Sequence, residues 1–469
     1  MSPSPPPVAP ASGARRARGQ RALLLLCWLV ALTLAPAARG QDDDEDPRVE
    51  LIDPYTRFDP EAWAAAGYEP SRRFPFGDDH GTREVEELLG EVQLLWVETA
   101  HFRIGSSLPA HKLENDEKKA MKVELGRLRE RLPKVKKSAR VLDRWLRLHL
   151  YAMWLEETYD DFLGRLQLTD ADFPTVAEVQ AAAAAAEAAR AAAAEREAAP
   201  EDGSLADAGS SPGDGNSPAA ADSAPAPALR GAGPYLGMRE KFCVLLLEKK
   251  SSLGRYCTRW GMQGPASPQR FNFHRRGCMG MATSWEFFDE DWKREDALRG
   301  SVTWSVLQML SSSFKGYAHM PPAWFADGLS AWYQRRVNPR FPTFSSMEGS
   351  GRLAAKQWNW PPKVRARVKA DYYPTLDEML GWRRSDVHGY ADHMLAWSRV
   401  DWLMNHDEGA FGRFMERLKD PLPVEPGVAP SEDDVEPRAR EALELAWGMT
   451  PEQLDAAWAE WVLDTYPRK

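Results

Sequence analysis

Cysteine is nearly absent: four occur in 469 residues. That excludes a disulfide scaffold, and no CxxC or Cys/His spacing of a zinc knuckle occurs. Apolar runs long enough to cross a bilayer are missing after residue 40, so no membrane span is expected. The run Gly277-Cys278-Met279-Gly280-Met281-Ala282 lacks the Lys-Ser/Thr of a P-loop and the third glycine of a dinucleotide fingerprint. No GxSxG elbow and no two-histidine metal motif is present. Excess positive charge is lacking too. Removing residues 1–40, with their five arginines and no acid, takes the net charge from −9 to −14. An acidic chain of this kind is a poor partner for nucleic acid.

What is present begins with a secretory signature. Arg15, Arg16, Arg18 and Arg21 precede an apolar stretch, Ala22–Leu34, and Ala38-Arg39-Gly40 supplies small residues for cleavage before Gln41. The expectation is an exported protein, periplasmic or extracellular. Three cysteines then remain. Cys243 sits in the apolar run FCVLLLE and is expected buried and free, and export permits a Cys257–Cys278 pair.

Five segments follow from composition. Residues 1–40 are the signal, and 41–93 an acidic, irregular extension rich in Pro, Gly and aromatics. Residues 94–175 form a strand-and-helix portion: a strand over 94–107, then helices over 115–132 and 138–168. Basic residues of 118–147 interleave with acids and read as a solvated face. Residues 176–234 are an insertion, an Ala-rich helix over 176–199 and then a Gly/Ser/Pro/Ala linker. Residues 235–469 hold a buried strand at 241–250, a short helix after it and a small-residue strand at 275–285. Helices at 299–314 and 321–336 follow. KVRARVKA, 363–370, alternates as an edge strand guarded by charge. Amphipathic helices cover 388–419 and 438–465. The class is α+β, a small strand/helix portion followed by a mostly helical domain.

One stretch carries chemistry. PPAWFADGLSAWYQRR, 321–336, has Asp327-Gly328-Leu329 inside an aromatic helix. With HFRI at 101–104, YADHMLAWSRVDWLMNHDEGAFGRFMERL at 390–418 and LAWGMTPEQLDAAWAEWV at 445–462, the order resembles the gluzincin zinc metallopeptidases. It looks most like their exported bacterial branch of unknown function. The resemblance spans residues 94–469, with 176–234 as an insertion. It implies a gluzincin-like fold in which HExxH binds zinc and a Glu on the next helix completes the ligands. Here that Glu is Asp327. Aligning it places the motif at Ser301-Val302-Thr303-Trp304-Ser305, with serines for the histidines and valine for the general base. Hydroxyls are poor zinc ligands, and valine takes no proton.

The expectation is therefore a vestigial cleft at Ser301, Val302, Ser305 and Asp327, with no catalytic residue, no metal and no cofactor. The cleft would lie between the 299–314 and 321–336 helices and bind a peptide or protein. Among the 19 tryptophans, Trp358, Trp360 and Trp382 lie in Pro-rich or loop stretches and are the candidate binding surface. Two readings compete with this one. An active hydrolase would use zinc on His274, His319, His388 or His393, or a serine site. Ser385-Asp386-Val387-His388 has serine-hydrolase residue types but reads as a surface loop. A purely structural envelope protein would fill the cleft with Trp304, Phe325 and their neighbours. His101 reads as a strand or turn histidine, and Asp289, Glu290 and Asp291 as a solvated loop.

Overall fold

The computed structural model describes residues 52–198, 230–289, 292–342, 358–387, 389–425 and 428–469. The expected signal, the acidic start, most of the linker, Glu290, Asp291 and His388 lie outside them. In chain order the helices are α1 (Pro60–Ala65), α2 (Thr82–Leu88), α3 (Glu117–Arg131), α4 (Arg144–Arg165), α5 (Val176–Ala198), α6 (Lys250–Thr258), α7 (Glu295–Ser313) and α8 (Ala323–Val337). Then come α9 (Pro361–Lys369), α10 (Leu376–Leu380), α11 (Tyr390–His406), α12 (Ala410–Leu418), α13 (Glu432–Trp447) and α14 (Pro451–Thr465). The strands are β1 (Leu95–Glu98), β2 (Phe102–Ser106), β3 (His111–Lys112), β4 (Val141–Leu142), β5 (Phe242–Leu247), β6 (Gln269–Phe273) and β7 (Cys278–Ser284). The fold is α+β, and no described helix is long and apolar enough to cross a membrane.

One five-stranded mixed sheet runs β1-β2-β5-β7-β6, with β3 and β4 as a separate pair. β5 lies parallel to both β2 and β7, whereas β1 and β6 are antiparallel to their neighbours. Residues on either side of the insertion thus share the sheet, Phe102 opposite Phe242. The apolar run of β5 explains its central place. Phe242, Val244 and Leu246 enter one core, while Cys243, Leu245 and Leu247 enter another on the opposite face. The larger core holds α3, α4, α7 and α8; the smaller is covered by Phe74, Phe76, Val85 and α6. Gly105 has no side chain because Trp96 lies across it: a Cβ there would stand 2.4 Å from Trp96 Cζ3.

Several expectations change in detail. The 94–107 strand is a hairpin, turning at Thr99, whose amide donates to Phe102 O at 2.8 Å. The 138–168 helix starts only at Arg144, after β4, because Asp143 caps it by accepting from Leu146 N. The 41–93 extension is not wholly irregular. It contains α1 and α2 and is fixed by a buried polar chain, in which Asp53 faces His149 Nε2 at 3.2 Å and Tyr68 shares a 2.6 Å hydrogen bond with His149 Nδ1. Arg147, placed in the basic stretch, is fully buried and pairs with Glu295 at 2.9 Å, tying α4 to α7.

Two expectations are overturned. The 363–370 edge strand is the helix α9. Pro361 and Pro362 preset its first turn, and Val364 and Val368, spaced i and i+4, bury one face. The Cys257–Cys278 pair does not form, since all three described cysteines are free and buried. Cys278 instead meets Cys243 by a side-chain hydrogen bond between β7 and β5, while Cys257 lies on α6.

Candidate functional site

The site grows from three helices. Pro322 caps α8, whose Ala323–Gln334 stretch is buried throughout. Gln308 of α7 donates through Nε2 to Asp327 Oδ1 at 2.7 Å. A Cβ on Gly300, at the other end of α7, would stand 3.3 Å from Gln334 Cγ. The helices therefore run antiparallel, with Gln308 level with Asp327. Gly328 brings in α11: a Cβ there would meet the Ala396 carbonyl oxygen at 2.5 Å, so only glycine allows the approach. His393, one turn before Ala396, then stands with Nδ1 3.6 Å from Asp327 Oδ2. That is a charge contact and too long for a hydrogen bond. The Trp304 ring meets the His393 ring edge-on, centroids 5.8 Å apart.

This register moves the expected cleft. Ser301 and Ser305 are buried and lie seven and three residues before Gln308. At 1.5 Å per residue they sit about 10 and 4.5 Å back along α7 from the level of Asp327. Among the described residues neither serine hydrogen-bonds to Asp327. Val302 is core. No groove separates α7 from α8, which pack directly together. Trp304 and Phe325 are buried between helices, at 2 % and 1 % exposure.

The open space lies between α7 and β6. A cavity of about 340 Å³ is bounded by β6, α7 and the loop after it; Arg270, Asn272, Gln308, Ser312, Tyr317 and Met320 line it. β6 is the end strand of the sheet and pairs only with β7 among the described residues. Alternation aims Arg270 and Asn272 at this space, because Phe271 and Phe273 belong to the core on the opposite face. The loop wall is bent through three consecutive positive φ angles, at Lys315, Gly316 and Tyr317. It is pinned by Lys315 Nζ to Glu416 Oε1 at 3.1 Å and by Lys419 Nζ to the Ser312 carbonyl at 2.9 Å.

Asp327 lies between this cavity and the helix core. Burial pushes its carboxyl up to about 6, against the pull of Arg384, Arg270 and the Gln308 hydrogen bond. Burial pulls the Arg270 guanidinium down to about 10; Arg384 acts the same way and Asp327 and Tyr317 oppose it. Sequence reasoning missed Gln308, Arg270 and Arg384. Two of them had a signal. Gln308 follows Trp304 by four residues, as a ligand pair on one helix face would, and Arg270 alternates with phenylalanines.

Zinc asks for three ligands drawn from imidazole, thiolate and carboxylate. The i, i+4 pair on this face of α7 is Trp304 and Gln308, and one imidazole and one carboxylate complete the group. Among the described residues no three His, Cys, Asp or Glu side chains gather as a metal set. These residues do not fit a catalytic zinc. Of the other histidines named, His274 is exposed in a turn. His319 is buried with Nε2 2.8 Å from the Leu418 carbonyl, and burial holds it down to about 4. Ser385 is exposed and its hydroxyl hydrogen-bonds its neighbour Asp386. His101 is more than a turn histidine: it pairs with Glu156 at 2.6 Å and Asp170 at 3.0 Å, under the Tyr159 ring.

The tryptophan surface is corrected in part. Trp360 is fully buried, edge-on to Trp397 and covered by Arg335 at 4.2 Å, so it belongs to the core. Trp358 is half-buried, with its carbonyl accepting from Arg335. Trp382 is half-buried against the larger core. No protein-family model matches the chain, and no curated protein and no solved structure matches it either.

Proposed function

We propose that this chain is an exported, metallopeptidase-like protein that binds an extended peptide or protein segment without cutting it. One observation carries the reading: an end strand, β6, with no second strand paired to it among the described residues, stands beside a cavity whose inner wall is Gln308 and Arg270. An extended chain adds to such an edge through its backbone and fills the adjacent space with alternate side chains. The residues around Asp327 support binding over hydrolysis. Water activation in a zinc peptidase takes a metal and a carboxylate base, and here an amide and one imidazole face the acid, with an indole packed on that imidazole. The gluzincin resemblance supports the absence of cutting, since the positions of its metal ligands hold Ser301, Ser305 and Asp327. Export is supported by the basic and apolar residues 15–40, and the acidic chain disfavours nucleic acid as a partner.

The test is incubation of the mature chain with a hexapeptide library, with and without added zinc. The expected outcome is peptide retained and uncut at every zinc level. Zinc-dependent cleavage that disappears in Asp327→Ala overturns the reading and restores an active peptidase.

A further inference from the structure

Residues 118–140 carry ten Lys and Arg against two Glu, a local charge of +8 in a chain of −9. Along the sequence both acids fall among the cations, but the fold takes one of them away. Glu124 turns to Arg127 at 2.8 Å, to Arg299 at 3.2 Å and to the Trp154 indole at 2.9 Å. The cations gather on one face. α3 buries Met121, Leu125 and Leu128, which leaves Lys119, Lys122, Gly126 and Arg129 on the side turned from the core. The loop after α3 runs back beside it. The Lys137 stem lies against Gly126, its Cδ 3.9 Å from where a Cβ would stand. The Arg140 carbonyl then accepts from Leu113 N at 3.0 Å, just before α3 begins. Lys134, Lys136, Lys137 and Arg140 are exposed, as are Lys119, Lys122 and Arg129. None of them forms an ion pair among the described residues. Two apolar side chains stand exposed among them. Val123, on α3 beside Lys122, is 63 % exposed, and Val141, next to Arg140 and opposite Lys112 in the β3–β4 pair, is 49 % exposed. Like charges held together oppose the folded state, and the one acid left on the face, Glu130, does not balance them.

We infer that this face, α3 with the loop 133–140, is a docking surface for an anionic phospholipid bilayer, which the protein meets from outside without crossing it. Charge complementarity decides the occupant, since clustered Lys and Arg are drawn to a negatively charged leaflet. Lysine is depleted at protein–protein interfaces but suits headgroups: its stem rests on the apolar boundary while the ammonium stays among phosphates. Val123 and Val141 fit that same boundary. A single-stranded nucleic acid would ask for aromatic rings to stack on, and no aromatic residue occurs from 117 to 141. The chain beyond residue 40 carries −14, so an anionic bilayer repels it as a whole. Attraction is then confined to the basic face, which fixes how the molecule lies on the surface.

The experiment sediments the full mature chain with vesicles of phosphatidylcholine, either pure or mixed with about one-third phosphatidylglycerol. Binding is expected to the mixed vesicles and not to the pure ones, and it is expected to fade as added salt shortens the screening length below about 8 Å. Lys134→Gln and Lys136→Gln are each expected to weaken it about fivefold, the share of one cation at a charged surface. Val123→Ser is expected to weaken it further where salt has already reduced the charge attraction. Lys249→Gln, an exposed cation outside this face, is expected to leave it unchanged. All four side chains are exposed, so the variants are expected to keep the parent's thermal melt. Sedimentation with neither vesicle overturns the inference, and so does a loss in Lys249→Gln equal to that in Lys134→Gln. Equal binding to pure phosphatidylcholine overturns the charge-based surface. Release by polyglutamate or a short DNA duplex, at a lower concentration of charge than the lipid itself supplies, overturns the bilayer in favour of an acidic polymer.

Discussion

Asp327 is easier to protonate in the folded chain than in water, because burial outweighs the help of two arginines and a glutamine. The sign follows. A carboxyl whose folded value, about 6, lies above its ordinary value of 3.8 contributes stability that is fully present below 3.8 and lost as pH rises through 6. Asp327→Asn is therefore expected to match the parent near pH 4. It should exceed the parent above pH 7 by on the order of 2–3 kcal/mol. Thermal melts from pH 4 to 8 check this; a variant less stable than the parent at pH 7 would show that the arginines need the charge more than burial resists it. Asp327 was legible in the sequence because Asp-Gly-Leu lies inside an aromatic helix. Its partners were not. Gln308 becomes a partner only through the antiparallel register of α7 and α8, and Arg270 only through the face that β6 turns inward. Both depend on elements packing together, which no local pattern records.

At the scale of elements, His101 joins three of them. It immediately precedes β2, and its ring reaches Glu156 on α4 and Asp170 in the turn that follows α4. Burial acts to lower its imidazole, but the hydrogen bonds and charges of Asp170 and Glu156 outweigh that and hold it up to about 9. A histidine raised in this way stabilises the fold fully below its ordinary 6.5, and the contribution is lost as pH rises through 9. His101→Gln is expected to cost about 2 kcal/mol at pH 6, allowing for the half-exposed Asp170, and little above pH 9.5. Urea midpoints at the two pH values check it, and a cost independent of pH would reduce the cluster to packing. Elements with one dominant period, such as α4 and β5, were legible in kind, although α4 starts at Arg144 and not at 138, and β5 ends at Leu247 and not at 250. KVRARVKA was not, because Val364, Arg365, Ala366, Arg367 and Val368 satisfy both a two-residue and a four-residue repeat. The proline pair before them decides for the helix, since it presets the first turn.

At the scale of the whole molecule, the α+β class was readable from the order of strands and helices on either side of residues 199–229. The joining of the two sides into one sheet was not, because parallel pairing of β2 with β5 carries no turn signal in the sequence. It has a direct test. Residues 41–198 produced alone keep β1 and β2 but lose β5, leaving Phe102 and Ile104 without the strand beside them. That fragment is expected to be aggregation-prone. Co-production with residues 230–469 is expected to restore a soluble complex, and an independently folded first fragment, seen as a cooperative melt, would overturn the expectation.

The same pairing sets a clock. Synthesis runs at roughly 5–20 residues per second, so β5 leaves the ribosome on the order of ten seconds after β2. Until then β2 stands with an open edge, and the contacts that would close it are among the most distant in the chain. The interval is fixed by the number of residues between the strands and not by their affinity. A longer insertion prolongs the exposure of that edge while costing the finished fold little, because loop-closure entropy grows only slowly with length.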